Sequence, residues 1–484
     1  MNTLHAQNLI DGQWQPAASG AVANSIDPAN QEIVGSFPAS GVDDARAAIR
    51  AAAEAFERPD WAQNPRLRQM VMLRWADRLE RRAEELAQLL IRENGKVLGQ
   101  ARGEFIGAVS EIRYYAGLTR NIPGHVLEVE PGVFSTMLRE PAGVTGIIVP
   151  WNAPVLLLIR SLTPALAAGC TAVIKPAPQT SILSAEVLRE LHEVEGLPKG
   201  VINLVCETGH EVAQELVASP DVTVISFTGS NETGKRIMAD AAATMKKLSL
   251  ELGGKSCCLV FPDADIGKTA AMLTQAAMVI SGQQCTAARR ILVHASRYED
   301  MKAALKAQFE NVVAGHGATP GAHIGPLIDE LSFNRVNARM AEAVDACDEV
   351  IVRGQRLGGD LARGFFVSPT LVAHRDTSAF FCQEEIFGPF VVLERFEDEK
   401  EAVTRANHTE YGLSASVWTD DGARALRVAR ALRNGTVWIN DHNKLFAEAE
   451  TGGYRRSGVG RLHGYDALND FTEIKHIYQN AGVV

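Results

Sequence analysis

G-V-T-G-I-I-V at 143–149, T-A-V-I-K-P at 171–176, G-V-I-N-L-V at 200–205 and V-T-V-I-S-F at 222–227 decide the fold. Each is a short apolar run, and helical spacing fills the sequence between them. Strands spaced by helices form a parallel, doubly wound sheet. Such a sheet binds ligands at the carboxyl ends of its strands, where the helices that follow aim backbone N–H groups into a crevice.

Those strand ends carry distinctive residues. G-I-I-V runs into Pro150-Trp151-Asn152-Ala153-Pro154, where two prolines fix the backbone around one amide side chain. T-A-V-I ends at Lys175-Pro176, a cation at the crevice, although a solvated strand-end lysine reads the same way. V-T-V-I-S-F opens into T-G-S-N-E-T-G at 228–234, where Gly229 lets the backbone approach a phosphate. That turn lacks G-x-G-x-x-G and fits a plain strand-to-helix connection equally well.

Cys285 lies in S-G-Q-Q-C-T-A-A-R-R at 281–290, and L-E-L-G-G-K-S at 250–256 offers it a carboxylate partner, Glu251. Cysteine is the side chain best suited to attack a carbonyl carbon near neutral pH. Most lone cysteines simply pack, however. The chain has seven, at 170, 206, 257, 258, 285, 347 and 382, with no C-x-x-C and no histidine pair at zinc spacing. Neither a disulfide framework nor a structural metal is expected. Cys257 and Cys258 sit in the apolar run S-C-C-L-V-F and read as strand residues. Cys170 and Cys206 have small or aliphatic surroundings, whereas Cys285 follows Gly282 in a polar turn and reads as reachable.

A chain of 484 residues is long enough for two or three domains. A formal net charge of −10, with no basic block, argues against a nucleic-acid partner. The apolar stretch 144–160 is interrupted by two prolines, an asparagine and an arginine, which argues against a membrane span. The first residues lack a charged segment followed by an apolar one, so a cytoplasmic, reducing location is expected. From Asp43 to about Leu118 the spacing predicts two or three amphipathic helices. H-V-L-E-V-E-P-G-V-F-S-T-M-L-R-E-P, at 125–141, predicts a hairpin turning at Pro131-Gly132.

Together these motifs resemble the NAD(P)-dependent aldehyde dehydrogenase superfamily, in its hydrolytic, non-acylating branch. In family order stand P-W-N at 150–152, K-P-A at 175–177, F-T-G-S at 227–230, E-L-G-G-K-S at 251–256 and G-Q-Q-C at 282–285. E-E-I-F-G-P at 384–389, G-T-V-W-I-N at 435–440 and G-G-Y-R-R-S-G-V-G-R at 452–461 complete the series. The resemblance implies an α/β fold of two doubly wound Rossmann-like domains plus a β-hairpin oligomerisation element. Residues 1–118 and 142–253 would bind the cofactor, 254–452 would form the catalytic domain, and 119–141 with 453–484 would assemble a homodimer or homotetramer.

The same resemblance gives residues their tasks. Cys285 would attack the aldehyde, Asn152 and the Cys285 backbone N–H would hold the oxyanion, and Glu251 would activate the water that hydrolyses the thioester. Trp151, Gly229 and Ser230 would lie near the pyrophosphate of NAD, Lys175 at the adenosine ribose, Glu385 at the nicotinamide ribose and Phe387 against the ring. Many NAD-preferring members carry Glu three residues after the lysine. Here that residue is Pro178, so NAD is favoured while NADP stays open. G-R-L-H-G replaces G-R-E-L-G near the C-terminus, so Leu462 stands where some members have an auxiliary glutamate. Leu157 and Arg160, on the helix after Asn152, would line the aldehyde tunnel. Arg160 resembles members acting on aromatic or acidic aldehydes, including semialdehydes, and an interdomain or intersubunit ion pair is the alternative. CoA-acylating, reductive and catalytically silent relatives are the rival classes. The first two typically lack the water-activating glutamate, and the last would lose the cysteine, asparagine or glutamate.

Overall fold

In the computed structural model, which describes residues 4–484, the four runs become β1 (Val144–Ile148), β2 (Thr171–Lys175), β3 (Ile202–Leu204) and β4 (Val222–Thr228). They are joined by β5 (Lys247–Glu251) in the parallel order β5-β4-β1-β2-β3. Gly458–Val459 pairs antiparallel with β5 at one edge. Asn8–Ile10 and Gln13–Gln15 extend the other edge, giving eight strands. From β1 the chain goes to β2 on one side and later to β4 on the other. The switch point, where a doubly wound sheet opens its crevice, therefore lies between β1 and β4.

A seven-stranded sheet follows: β6 (Cys257–Val260), β7 (Arg290–His294), β8 (Thr370–Ala373), β9 (Phe390–Phe396), β10 (Ser414–Trp418) and β11 (Thr436–Ile439) run parallel in the order β8-β9-β7-β6-β10-β11. Glu349–Val352 is its antiparallel edge strand. The hairpin forms as expected from His125–Glu130 and Val133–Pro141, with Gly132 at φ +74° in the turn. Thr472–Asn480 adds a third strand against Val133–Pro141 over its whole length.

The 43–118 segment forms three long helices, α1 (Val42–Phe56), α2 (Pro65–Asn94) and α3 (Leu98–Leu118), with the single turn Pro59–Ala62 between the first two. Asn64 caps α2 by accepting from Leu67 N, Pro65 occupies its first turn, and Gly95 ends it in the left-handed conformation. α3 packs between α2 and α4 (Pro154–Ala168), so its residues Ala101, Phe105, Ala108, Ile112 and Tyr115 are buried. Three further helices position the site: α5 (Glu211–Ala218), α6 (Asn231–Ala241) and α7 (Glu330–Ala346).

Candidate active site

The Cys285 loop is bent by three successive left-handed residues: Ile280, Ser281 and Gly282 have φ of +51°, +56° and +75°. For side chains other than glycine this conformation costs on the order of 1–3 kcal/mol each and persists only when surroundings hold it. Here they do. Ser281 Oγ donates to Gly325 O (2.8 Å), Gln283 Nε2 donates to Ile280 O (3.1 Å), and Gln283 Oε1 accepts from Ile328 N (3.0 Å). Beneath the loop the fully buried Arg289 donates from Nη1 to Gly388 O (2.6 Å) and from Nη2 to Gly282 O and Gln284 O. A Cβ on Gly282 would fall 2.2 Å from Gly388 O, so glycine is required there.

Asn152 comes from the β1 side. Two backbone donors at the start of α4, Val155 N and Leu156 N, are accepted by Glu104 Oε1 of α3 at 2.8 and 3.2 Å, satisfying a helix end that proline begins. Glu104 is in turn paired with buried Lys96. Asn94 Nδ2 holds Trp151 O at 2.7 Å. The Asn152 amide then donates from Nδ2 to Gln283 O (3.0 Å), joining the β1 end to the cysteine loop. One of its two N–H groups is used in that bond, and the other remains for a ligand.

Glu251 is the last residue of β5 and is buried. Burial raises its pKa, with Arg160 and Arg461 opposing. Burial pushes the Cys285 thiol up to about 12, again opposed by Arg160. Glu385 is raised to about 7 by burial and docks on the glycine pair beyond Glu251, accepting from Gly254 N at 3.3 Å.

These groups surround one cavity of about 480 Å³. Its lining brings together Asn152, Trp151, Gly229, Ser230, Glu251, Cys285, Glu385 and Phe387. The Trp151 and Phe387 rings meet edge to face, 5.7 Å between centroids. Ser230 caps α6 with its side chain accepting from Thr233 N. A Cβ on Gly229 would meet the Phe227 ring and one on Gly253 would meet the Glu385 carboxylate and Asn231 Oδ1, so a side chain at either position would have to displace these neighbours.

Lys175, Arg160 and Leu157 do not line that cavity. Lys175 is buried, its Nζ 3.5 Å from Glu207 Oε1. Leu157 is buried in α4. Arg160 is 6 % exposed, has no hydrogen bond or ion pair among the described residues, and leaves Nε buried and unpaired. Its charge opposes the upward shift of both Cys285 and Glu251. Sequence reasoning missed Gln283 and Arg289, which hold the loop, and Glu207. It also missed Arg335 and Arg339, which line the cavity from α7. Arg289 stood inside the quoted 281–290 motif, and its burial was the missing information.

A thiol, an amide donor and a buried carboxylate gathered at one cavity beside the carboxyl ends of a doubly wound sheet are the parts of an oxidoreductase site. The chain belongs to the aldehyde dehydrogenase family, whose sequence profile matches residues 14–477. It is 38 % identical over 475 residues to betaine aldehyde dehydrogenase of Bacillus subtilis (strain 168), covering 98 % of this chain and 97 % of that protein. It is 36 % identical to the succinate-semialdehyde dehydrogenase [NADP(+)] of Escherichia coli (strain K12), covering 98 % of each. The crystal structure of betaine aldehyde dehydrogenase from Staphylococcus aureus in complex with NAD+ superposes with a TM-score of 0.95 at 35 % identity, over 99 % of this chain and 95 % of that one.

Proposed function

We propose that the chain oxidises an aldehyde to the free carboxylic acid with NAD+, through a thioester on Cys285. The observation that carries this is the Asn152–Gln283 bond, which sets an amide donor over the loop of a thiol that shares a cavity with Glu251.

The cavity residues suit the dinucleotide. The Ser230-capped N-terminus of α6 directs N–H groups at the pyrophosphate, the glycines at 229 and 253 permit close approach, Glu385 accepts from ribose hydroxyls, and the Trp151–Phe387 pair walls the ring. A volume of about 480 Å³ is within the usual range for such sites. Bound NAD+ supplies the hydride acceptor.

Cys285 gives its proton to water as its sulfur bonds to the aldehyde carbon. The carbonyl oxygen becomes an oxyanion held by the free Asn152 N–H and the Cys285 backbone N–H. After oxidation the carbon is a thioester. Glu251 takes a proton from the attacking water, the C–S bond breaks, and the acid leaves with the thiol restored. A buried carboxylate in the cavity supports hydrolysis over CoA-acylating chemistry, whose members typically lack that glutamate. In Glu251→Gln, one equivalent of reduced cofactor per site should appear rapidly and steady turnover should fall about 10²-fold or more. Steady turnover at the wild-type rate would exclude Glu251 as the base.

For the substrate, we read the unpaired Arg160 as a partner for a carboxylate or phenolic oxygen. An unpaired buried charge costs several kcal/mol, and an anionic group would offset it. In Arg160→Met the kcat/KM ratio of succinic semialdehyde to butanal should fall at least about tenfold. An equal loss on both aldehydes would assign Arg160 to tuning the nucleophile instead.

We take residues 1–118 with 142–253 as the cofactor-binding unit and 254–452 as the catalytic unit. The hairpin at 119–141, with the strand near the C-terminus, is the assembly element of a homodimer or homotetramer. Seven free cysteines support a reducing, cytoplasmic setting. Among the described residues no helix is long and apolar enough to cross a membrane.

A further inference from the structure

We propose that Glu207 makes the enzyme selective for NAD+ over NADP+, by setting a fixed carboxylate beside Lys175 where a 2′-phosphate would have to bind. This rests on the cofactor reading above and on the family resemblance, which would put Lys175 at the adenosine ribose, outside the cavity around Cys285.

β2 and β3 are parallel neighbours, Ile174 opposite Leu204, so the chain leaves both strands side by side on the crevice edge of the sheet. Lys175 is the last residue of β2, and Glu207 follows the end of β3 by three. Their charged atoms lie 3.5 Å apart, and both side chains are buried, 9 % and 1 % exposed. Glu207 cannot easily swing away. Its Oε2 accepts from Val212 N (2.8 Å) and its Oε1 from Ala213 N (3.3 Å), the first donors of α5. The carboxylate is thus fixed by a helix end on one side and a cation on the other.

The charge balance follows. Lys175 and Glu207 sum to zero, so the lysine is not a free cation for a phosphate monoester, which carries about −1.5 to −2 at neutral pH. Pro178, on the turn Pro178–Thr180 just beyond Lys175, contributes no charge. Burial lowers the pKa of Lys175 while Glu207 opposes that shift, in keeping with a lysine whose charge depends on its partner. A ribose 2′-hydroxyl, in contrast, can donate to a carboxylate. Selection against NADP+ therefore comes from a residue 32 positions after the lysine in the chain and adjacent to it in the fold.

The test uses the full chain and isothermal titration with NAD+, NADP+, ADP-ribose and 2′-phospho-ADP-ribose, so that binding is read apart from turnover. Wild type should bind the unphosphorylated member of each pair at least about tenfold more tightly. Glu207→Gln keeps an acceptor for the α5 donors and removes the charge, and its preference should shrink by at least about tenfold. If Glu207 serves only as a helix cap, the variant lowers the melting temperature and leaves the preference intact, which overturns the proposal. Equal wild-type affinity for both members of a pair overturns it as well, whether or not the variant folds. Wild type that binds no dinucleotide removes the cofactor reading itself, whereas binding with a preference indifferent to Glu207→Gln removes only the role of Glu207.

Discussion

Cys285 is half-buried, and desolvation raises its thiol pKa, so the protonated thiol is the favoured form near neutral pH. Folding binds this proton more tightly than the unfolded chain does. Its contribution to stability is therefore complete below the ordinary thiol pKa of 9 and disappears between pH 9 and 12. Inactivation by iodoacetamide should accelerate with pH past the range of a free cysteine. A rate that levels off below pH 8 in the free enzyme would contradict this. Asn152→Ala removes both the oxyanion donor and the bond to Gln283 O, and kcat/KM should drop by about 10²- to 10³-fold, the scale of a lost oxyanion donor. Glu251 titrates above the usual glutamate range because it is buried. Its protonated form persists to higher pH and cannot accept a proton from water, so the acid limb of the kcat profile should lie above pH 4.5 and vanish in Glu251→Gln.

The loop 280–285 and the strand ends around it were unequally legible. The parallel strands and the hairpin could be read because each depends on a local pattern, and ordered motifs put forward Cys285, Asn152 and Glu251, which the fold gathers at one cavity. Arg289 could not be read, because its role is made by Gly388 O, 99 positions away, and by complete burial. Glu207 was invisible for the same reason, since only the pairing of β2 with β3 brings it to Lys175. The segment 43–118 was read as two or three helices because the break at Asn64-Pro65 and the left-handed Gly95 divide one continuous helical pattern. Replacing Arg289 with Met should orphan the carbonyls of Gly282, Gln284 and Gly388, at about 1–3 kcal/mol each for buried groups. The expected outcome is a lowered melting temperature together with loss of thiol labelling selectivity at Cys285. A variant as stable and as selectively labelled as wild type would show that the strained loop is held without it.

Across the whole molecule one continuous segment connects the site floor to the exposed hairpin. Ser457 Oγ donates to Gly253 O (2.8 Å), Gly458 lies opposite Glu251 on β5, Ala467, Leu468 and Phe471 are buried, and Thr472–Asn480 then zips along Val133–Pro141. The hairpin sheet exposes Val126, Leu127, Val129, Ile474 and Tyr478, each more than half exposed, and its outer strands His125–Glu130 and Thr472–Asn480 are open edges. Apolar, unpaired edges of this kind are normally covered by another chain. The cores of the two large sheets use none of these side chains, so disrupting assembly should leave each protomer folded. Leu127→Glu combined with Ile474→Glu should reduce the mass measured by light scattering to that of one chain while circular dichroism keeps the wild-type helix content. Because the same segment bears on Gly253 and Glu251, the separated chain should also bind NAD+ more weakly. A double variant that retains the wild-type mass would place the assembly surface elsewhere, and one that dissociates with unchanged NAD+ affinity would uncouple the hairpin from the site.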